Sequence, residues 1–242
     1  MGPRRLPALI ATGGLALALG ACTVDIGTWT SDDLGGPQTS EDRPIAGVVA
    51  VDLTTSGDLT VTLGSAPALT VTAPEDALPH LTSEVRDGVL ELGIDRSGGI
   101  RGSITYELVV TDLSAVTVAG SGNVRADAAA GDRLDVAVSG SGELRIDAVD
   151  VTDLTVTVSG SGDVTLAGEA GHQAVVVAGS GTYRGDDLTS ATTDVEVAGS
   201  GDAVLTVTDT LTAAVAGSGS VRHGGGAHVV SQVSGSGSVT ER

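Results

Sequence analysis

The sequence predicts an all-β fold, a parallel β-solenoid with about 18–20 residues per coil, and three observations carry that prediction. Glycine-serine-glycine units recur seven times between Gly120 and Gly237, at intervals of 20, 20, 19, 20, 18 and 18 residues. A fixed period of this length marks a repeat architecture. Val118, Val138, Val158, Val177, Val197, Val215 and Val233 stand two places before the successive units. Around them, stretches such as "LDVAVSGSGELRI" alternate apolar with polar residues, the period-two pattern of a strand with one buried face. Finally, the chain holds 36 Gly, no Phe and one Trp, so its core must be built from Val, Leu and Ala, which suits thin layers of strand. At a rise of ~3.3 Å per residue, twenty residues close one coil of short strands, and coils stack ~4.8 Å apart with equivalent residues directly above one another.

Residues 1–21 read as a removable signal: Arg4 and Arg5 precede an apolar run from Leu6 to Leu19. The run is too short for a membrane-spanning helix and is wrongly flanked for one. The "LGAC" of Leu19 to Cys22 resembles the lipobox of bacterial lipoproteins. That resemblance implies cleavage before Cys22, diacylglycerol on its thiol, and acylation of the new amino terminus. A lone cysteine in an exported chain has no internal disulfide partner. Two or three acyl chains, at about 0.8 kcal/mol per buried methylene, hold where one is marginal. The expected localisation is therefore the extracytoplasmic face of the cell membrane, with the membrane as a partner through Cys22.

Residues 22–43 lack a period and are rich in Thr, Ser, Asp, Gly and Pro, the composition of a flexible tether. Trp29 within it reads as an incidental aromatic.

Residues 44–242 form the expected β-helical domain, less regular over 44–119 and regular over 120–242. In the irregular stretch "VVAVDLTTSGDLTVTLG", "ALTVTAP" and "RDGVLELGI" read as strands, and "PEDALPHLTSEV" from Pro74 to Val85 reads as the one short helix. This stretch is expected to cover the first strand edge. Over 120–242 the valines are accompanied by another pair of columns: Val116, Val136, Val156, Val175, Val195, Ala213 and Ser231, then Val124, Leu144, Val164, Tyr183, Ala203, Val221 and Val239. The corner glycines stand where the backbone turns hard or where a side chain would strike the neighbouring coil, and serines Ser121 through Ser236 stack as a polar column along one edge.

The corners "VSGSGDVTL", the segment "PEDALPHLTSEVRDGVLEL" and the closing "AGSGSVRHGGGAHVVSQVSGSGSV" resemble the GIN domain, a head domain of autotransporter-adhesin type with no function attached. The resemblance covers about residues 45 to 242 and implies a right-handed parallel β-helix on an exported envelope protein, with no catalytic residues to carry over.

Net charge is −19, and all 12 basic residues are Arg. Such a chain repels phosphate backbones, which disfavours nucleic acid as a partner. Residues following the corners, among them Asn123, Glu143, Asp163, Thr182 and Asp202, are too mixed for a ladder of calcium sites. Asp186 and Asp187 are the most tempting carboxylate pair for glycoside chemistry, yet neighbours on a strand point to opposite faces, and the pair reads as a turn. His223 and His228 in "RHGGGAH" read as two exposed imidazoles on a loop, with weak metal binding left open for want of a third ligand. Glu169 and His172 have no nucleophile beside them, and the pairs Thr155/Thr157 and Thr206/Thr208 do not recur in one column. No cofactor and no catalytic, cofactor-binding or metal site is expected; the one site is the lipid attachment at Cys22. The expected function is a non-enzymatic, lipid-anchored surface protein whose long acidic face serves adhesion or contact with an envelope protein or polysaccharide. A polysaccharide lyase or hydrolase of solenoid type and an envelope sensor component are the alternatives.

Overall fold

The computed structural model describes residues 33–96 and 98–242; residues 1–21, Cys22 and Trp29 lie outside the described residues. Strands β1 (Gln38–Arg43), β2 (Ala50–Leu53), β3 (Asp58–Leu63) and β4 (Ala68–Pro74) are followed by a 3-10 turn at Leu78–His80. After the turn come β5 (Leu81–Arg86), β6 (Val89–Ile94), β7 (Thr105–Val110), β8 (Ala115–Val118), β9 (Asn123–Ala126) and β10 (Ala129–Val138). The long strands β11 (Glu143–Val158), β12 (Asp163–Gly179), β13 (Thr182–Gly199) and β14 (Asp202–Gly217) follow, and β15 (Ser220–Gly224), β16 (His228–Gly235) and β17 (Ser238–Glu241) complete the set. Among the described residues there is no α-helix, and no helix is long and apolar enough to cross a membrane.

From β8 onward every neighbouring coil is paired in parallel, and the fold is the parallel β-solenoid that the period predicts. Within β11 the buried residues are Leu144 and Ile146, then Val149 and Val151, then Leu154, Val156 and Val158. Alternation of period two breaks twice, between 146 and 149 and between 151 and 154. Since each break turns the chain onto a new face, the coil has three sides. The third corner is the glycine-serine-glycine unit itself.

Register explains the unit. A Cβ on Gly199 would stand 2.6 Å from the carbonyl oxygen of Gly179 one coil away, and the same carbonyl clash recurs at Gly160, Gly217 and Gly235. The third residue is equally confined, since a Cβ on Gly201 would meet the Cγ1 methyl of Val177 at 2.6 Å. Between them the serine side chain is free to point outward, and its N–H continues the ladder: Ser161 N donates to Gly140 O at 3.1 Å and Ser200 N to Gly179 O at 2.9 Å. All seven corner serines are exposed in one column.

Differences in coil length are taken up at the bends away from the serine corner. Between β13 and β14 the register shifts at Gly185/Thr189 and again at Ser190/Thr192, which absorbs the step from 20 to 18 residues. Single-residue adjustments sit at Ile146/Val149 and Thr165/Ala167. Every column on the remaining sides stays in phase.

The valine ladder fills the interior as expected, with Val118 through Val215 at 2% exposure or less. Both tyrosines are fully buried, and each lies over a glycine whose missing side chain makes the room: Tyr106 over Gly57 and Tyr183 over Gly185. On the third side the inward column runs Leu134, Leu154, Gln173, Thr193, Leu211 and Val229, so two polar residues interrupt the aliphatic stack. They satisfy each other. The Gln173 amide donates to the Tyr183 hydroxyl, its oxygen accepts from Thr193 Oγ1 at 3.3 Å, and Ser190 and Thr193 hydroxyls lie 2.7 Å apart. Burial raises the Tyr183 phenol pKa against the opposing effect of the Gln173 hydrogen bond.

The irregular stretch departs from the sequence reading in three ways. The first departure is in the stacking order: β2 and β3 lie between β6–β7 on one side and β8–β9 on the other, so the chain lays down an inner layer before the outer one. Next, the segment read as a helix is only the 3-10 turn followed by β5, which pairs antiparallel with β6. Pro79 sits inside that short turn, and Leu81 already has extended backbone. Last, residues 38–43, placed in the tether, form β1 and pair antiparallel with β4 from Gln38↔Pro74 to Arg43↔Leu69. Arg43 fixes this strand by donating to the Leu78 carbonyl at 2.9 Å and to Ser83 Oγ at 2.9 Å. A strand held by such distant partners has no signature within its own six residues.

Candidate binding surface

The predicted lipid attachment at Cys22 lies outside the described residues. Of the polar pairs singled out in the sequence, none converges on a common point. Asp186 and Asp187 are both exposed, but they occupy the β13 bulge rather than a turn, and the bulge is what lets neighbouring side chains share the outside. Asp186 lies 3.7 Å from Arg242. His223 corrects the expectation of two exposed imidazoles: it is a strand residue of β15, 8% exposed, stacked in register on Leu205 in an inward column. His228 is exposed on β16 beside Thr210. No group of three metal-ligating side chains occurs among the described residues. His172 is bonded to Thr192 at 3.0 Å, while Glu169 stands in register with Asp150 and Thr189 on the second side.

The residues after the corners serve the stack itself. Asp163 Oδ1 accepts the backbone N–H of Thr182 at 3.0 Å, Asp202 Oδ1 that of Ser220 at 3.0 Å, and Asn123 Oδ1 that of Glu143 at 3.1 Å. Each side chain thus accepts the N–H of the equivalent residue one coil on, and the Ser220 N–H also reaches the Gly201 carbonyl at 3.3 Å. Asp and Asn serve that role at three of the column's positions.

Two places further along, the register builds a surface that the sequence reading overlooked. Arg125, Arg145, Thr165, Arg184, Val204, Arg222 and Thr240 form one outward column on the first side. Arginine occupies four of its seven positions, in a molecule of net charge −19. The signal was present, because these residues all stand five places after the first glycine of their unit. Arg125 and Arg145 share Asp147, with Arg145 Nε 2.6 Å from its Oδ1, and Arg184 Nη1 is 2.9 Å from Asp163 Oδ2. The guanidinium groups are oriented by these bonds yet remain 43–58% exposed. At ~4.8 Å per coil, the column from Arg125 to Arg222 extends over ~24 Å. Its start borders a shallow groove of about 260 Å³ lined by Asp58, Thr60, Asn123, Arg125, Glu143 and Arg145. Chemically, this is a straight row of planar hydrogen-bond donors framed by carboxylate acceptors, able to engage anionic groups bidentately and hydroxyl groups beside them.

Near the other end of the molecule, Glu84, Glu91 and Asp52 stand in register across β5, β6 and β2. Arg86 bonds both glutamates, and Asp52 Oδ1 is buried without a hydrogen-bond partner. Desolvation, then the Glu91 charge, raises the Asp52 pKa.

A family model described as "Putative auto-transporter adhesin, head GIN domain" matches residues 49–227. No curated protein matches the sequence. Among solved structures, a "putative adhesin" from Bacteroides fragilis is 23% identical with a TM-score of 0.82, covering 87% of this chain and 99% of that one. A "putative lipid binding protein" from Parabacteroides distasonis is 21% identical with a TM-score of 0.74, covering 87% and 98%. A "putative adhesin" from Parabacteroides distasonis is 22% identical with a TM-score of 0.71, covering 87% and 99%. These likenesses extend over nearly the whole described solenoid and establish a shared fold.

Proposed function

The chain belongs to the GIN head-domain family, and from that premise we propose that it is a non-enzymatic, lipid-anchored surface protein that holds an extended polymer along its arginine column. The column is the single observation that carries the reading: rigid coils place four exposed guanidinium groups in one straight row in an otherwise acidic molecule. Linear polysaccharides bearing carboxylate or phosphate groups offer both anions for the arginines and hydroxyls for Glu143, Asp163 and Asp202. The two tyrosines are buried and provide no stacking platform, so each contact is weak and affinity accumulates by repetition along the row. The lipobox at Leu19 to Cys22 supports attachment of the assembly to the membrane through Cys22. The lipid-binding name of one structural neighbour finds no echo in the interior here, which side chains fill along the valine column.

Immobilised anionic and neutral envelope polysaccharides provide the test. Binding of the anionic polymers should fall at least tenfold in Arg145→Ala and Arg184→Ala and should weaken with added salt. Unchanged binding in both variants, or equal binding of neutral polymers, would overturn the reading. New reducing ends appearing in the same incubations would favour a polysaccharide-active enzyme instead. Incorporation of labelled fatty acid in cells, lost in Cys22→Ala, tests the anchor.

A further inference from the structure

The two ends of the coil stack are built differently. At one end the layer formed by β6 and β7 is flanked by antiparallel β5 and β4, with β1 beyond. These outer strands carry Glu41, Asp42 and Arg43 on β1 and Glu84 and Arg86 on β5. Charged antiparallel strands of this kind blunt a sheet edge. At the other end, β16 pairs with β14 and β17 pairs with β15, and among the described residues neither has a strand on its far side. Among the described residues no side chain covers the interior columns there. Exposure along the valine ladder rises from 2% at Val215 to 44% at Val233.

Charge distinguishes this end as well. Between Asp209 and Glu241 there is no acidic residue, and Arg222 is the only charged one, although the chain holds 31 acids in all. Two copies of so acidic a protein repel wherever their sides approach within a Debye length, about 8 Å at physiological salt. In the last coil, residues 228–242, the charged side chains are Glu241 and Arg242, of opposite sign, so this coil meets its own copy with the least repulsion. A strand edge with uncharged side chains is also complementary to itself: turned about a two-fold axis, β16 meets β16 antiparallel, and the open valine columns abut.

We propose that the terminal coil, β16 and β17, docks tail-to-tail on the terminal coil of a second copy, covering Val229, Val233 and Val239 and joining two solenoids into one rod. The blunted opposite ends then face outward, so the assembly closes at two copies instead of growing into a fibre.

Sedimentation velocity on the full chain, with Cys22→Ser to exclude lipid at that position, reads the association across the micromolar range. A dimer is expected, little affected by added salt. Ser231 is an exposed polar residue at the mouth of an inward column, so Ser231→Asp leaves the fold intact and should raise the dimer dissociation constant at least tenfold. Val233→Asp should do the same, with circular dichroism confirming retained strand content. Thr157→Asp, on the third side and remote from the end, should leave the dimer unchanged. A monomer at all concentrations overturns the proposal, as does a dimer indifferent to Ser231→Asp or one lost in Thr157→Asp.

Discussion

Val176 and Val177 are neighbours in β12 that face opposite ways, 37% and 0% exposed, and threonine in place of each isolates what inward placement is worth. Thr and Val have nearly the same shape and both favour strands, so neither exchange opens a cavity. At position 177 the new hydroxyl enters the column between Val158 and Val197, where apolar side chains surround it. Burying a hydroxyl without a partner costs about 1–3 kcal/mol, and exchanging a buried methyl for it forfeits about 0.8 kcal/mol more. At position 176 the change reproduces what Thr157 already does one coil earlier in the same outward column. Its effect should stay within about 0.5 kcal/mol, as for most surface substitutions. For a domain of this size a loss of 2–4 kcal/mol corresponds to a fall in Tm of roughly 5–15 °C. Urea and thermal unfolding followed by circular dichroism read the difference. Equal losses in the two variants, or the larger loss at Val176, would refute a period-two strand with a dry inner face.

Gly201→Ala should destabilise by more than about 2 kcal/mol because its Cβ meets both the Gly181 carbonyl and Val177, whereas Ser200→Ala beside it should be nearly neutral in the same unfolding assay. Gln173→Leu should cost about 1–3 kcal/mol, since it strips the buried Tyr183, Ser190 and Thr193 hydroxyls of their shared partner, and adding Thr193→Val should recover part of the loss in a double-mutant comparison. Asp52 has a raised folded-state pKa, so the native state binds its proton more tightly and stability from this group falls as pH rises from the ordinary carboxylate range through the folded value. Asp52→Asn should therefore stabilise the protein at neutral pH and match the parent in acid; a gain that persists in acid would count against this account.

How much was legible depended on whether a residue's neighbour is one period away. The corners could be read because each glycine is demanded by the carbonyl of the previous glycine, and the valine column because its register never slips across the serine corner. The arginine column has the same constant offset, but Thr165 and Val204 interrupt it, so no single residue type marks it along the repeat. His223 could have been placed inside on the same grounds, since it stands where Ile146, Leu166 and Leu205 stand in other coils. By contrast, β1 and the interleaved order of β2, β3, β6 and β7 depend on pairings between segments without a common repeat, where local pattern carries no address. The short helix expected after Pro74 failed because pairing of β5 with the apolar strand β6 outweighs three residues of helical turn.

Confining changes of coil length to particular bends gives the prism a seam. Material inserted at Asp186–Asp187 would swell outward from a place that already departs from strict stacking, while the serine edge and the arginine row keep their phase. A foreign peptide grafted there should be displayed at a set height on the shaft, which makes the seam a place to diversify the surface without rebuilding the molecule.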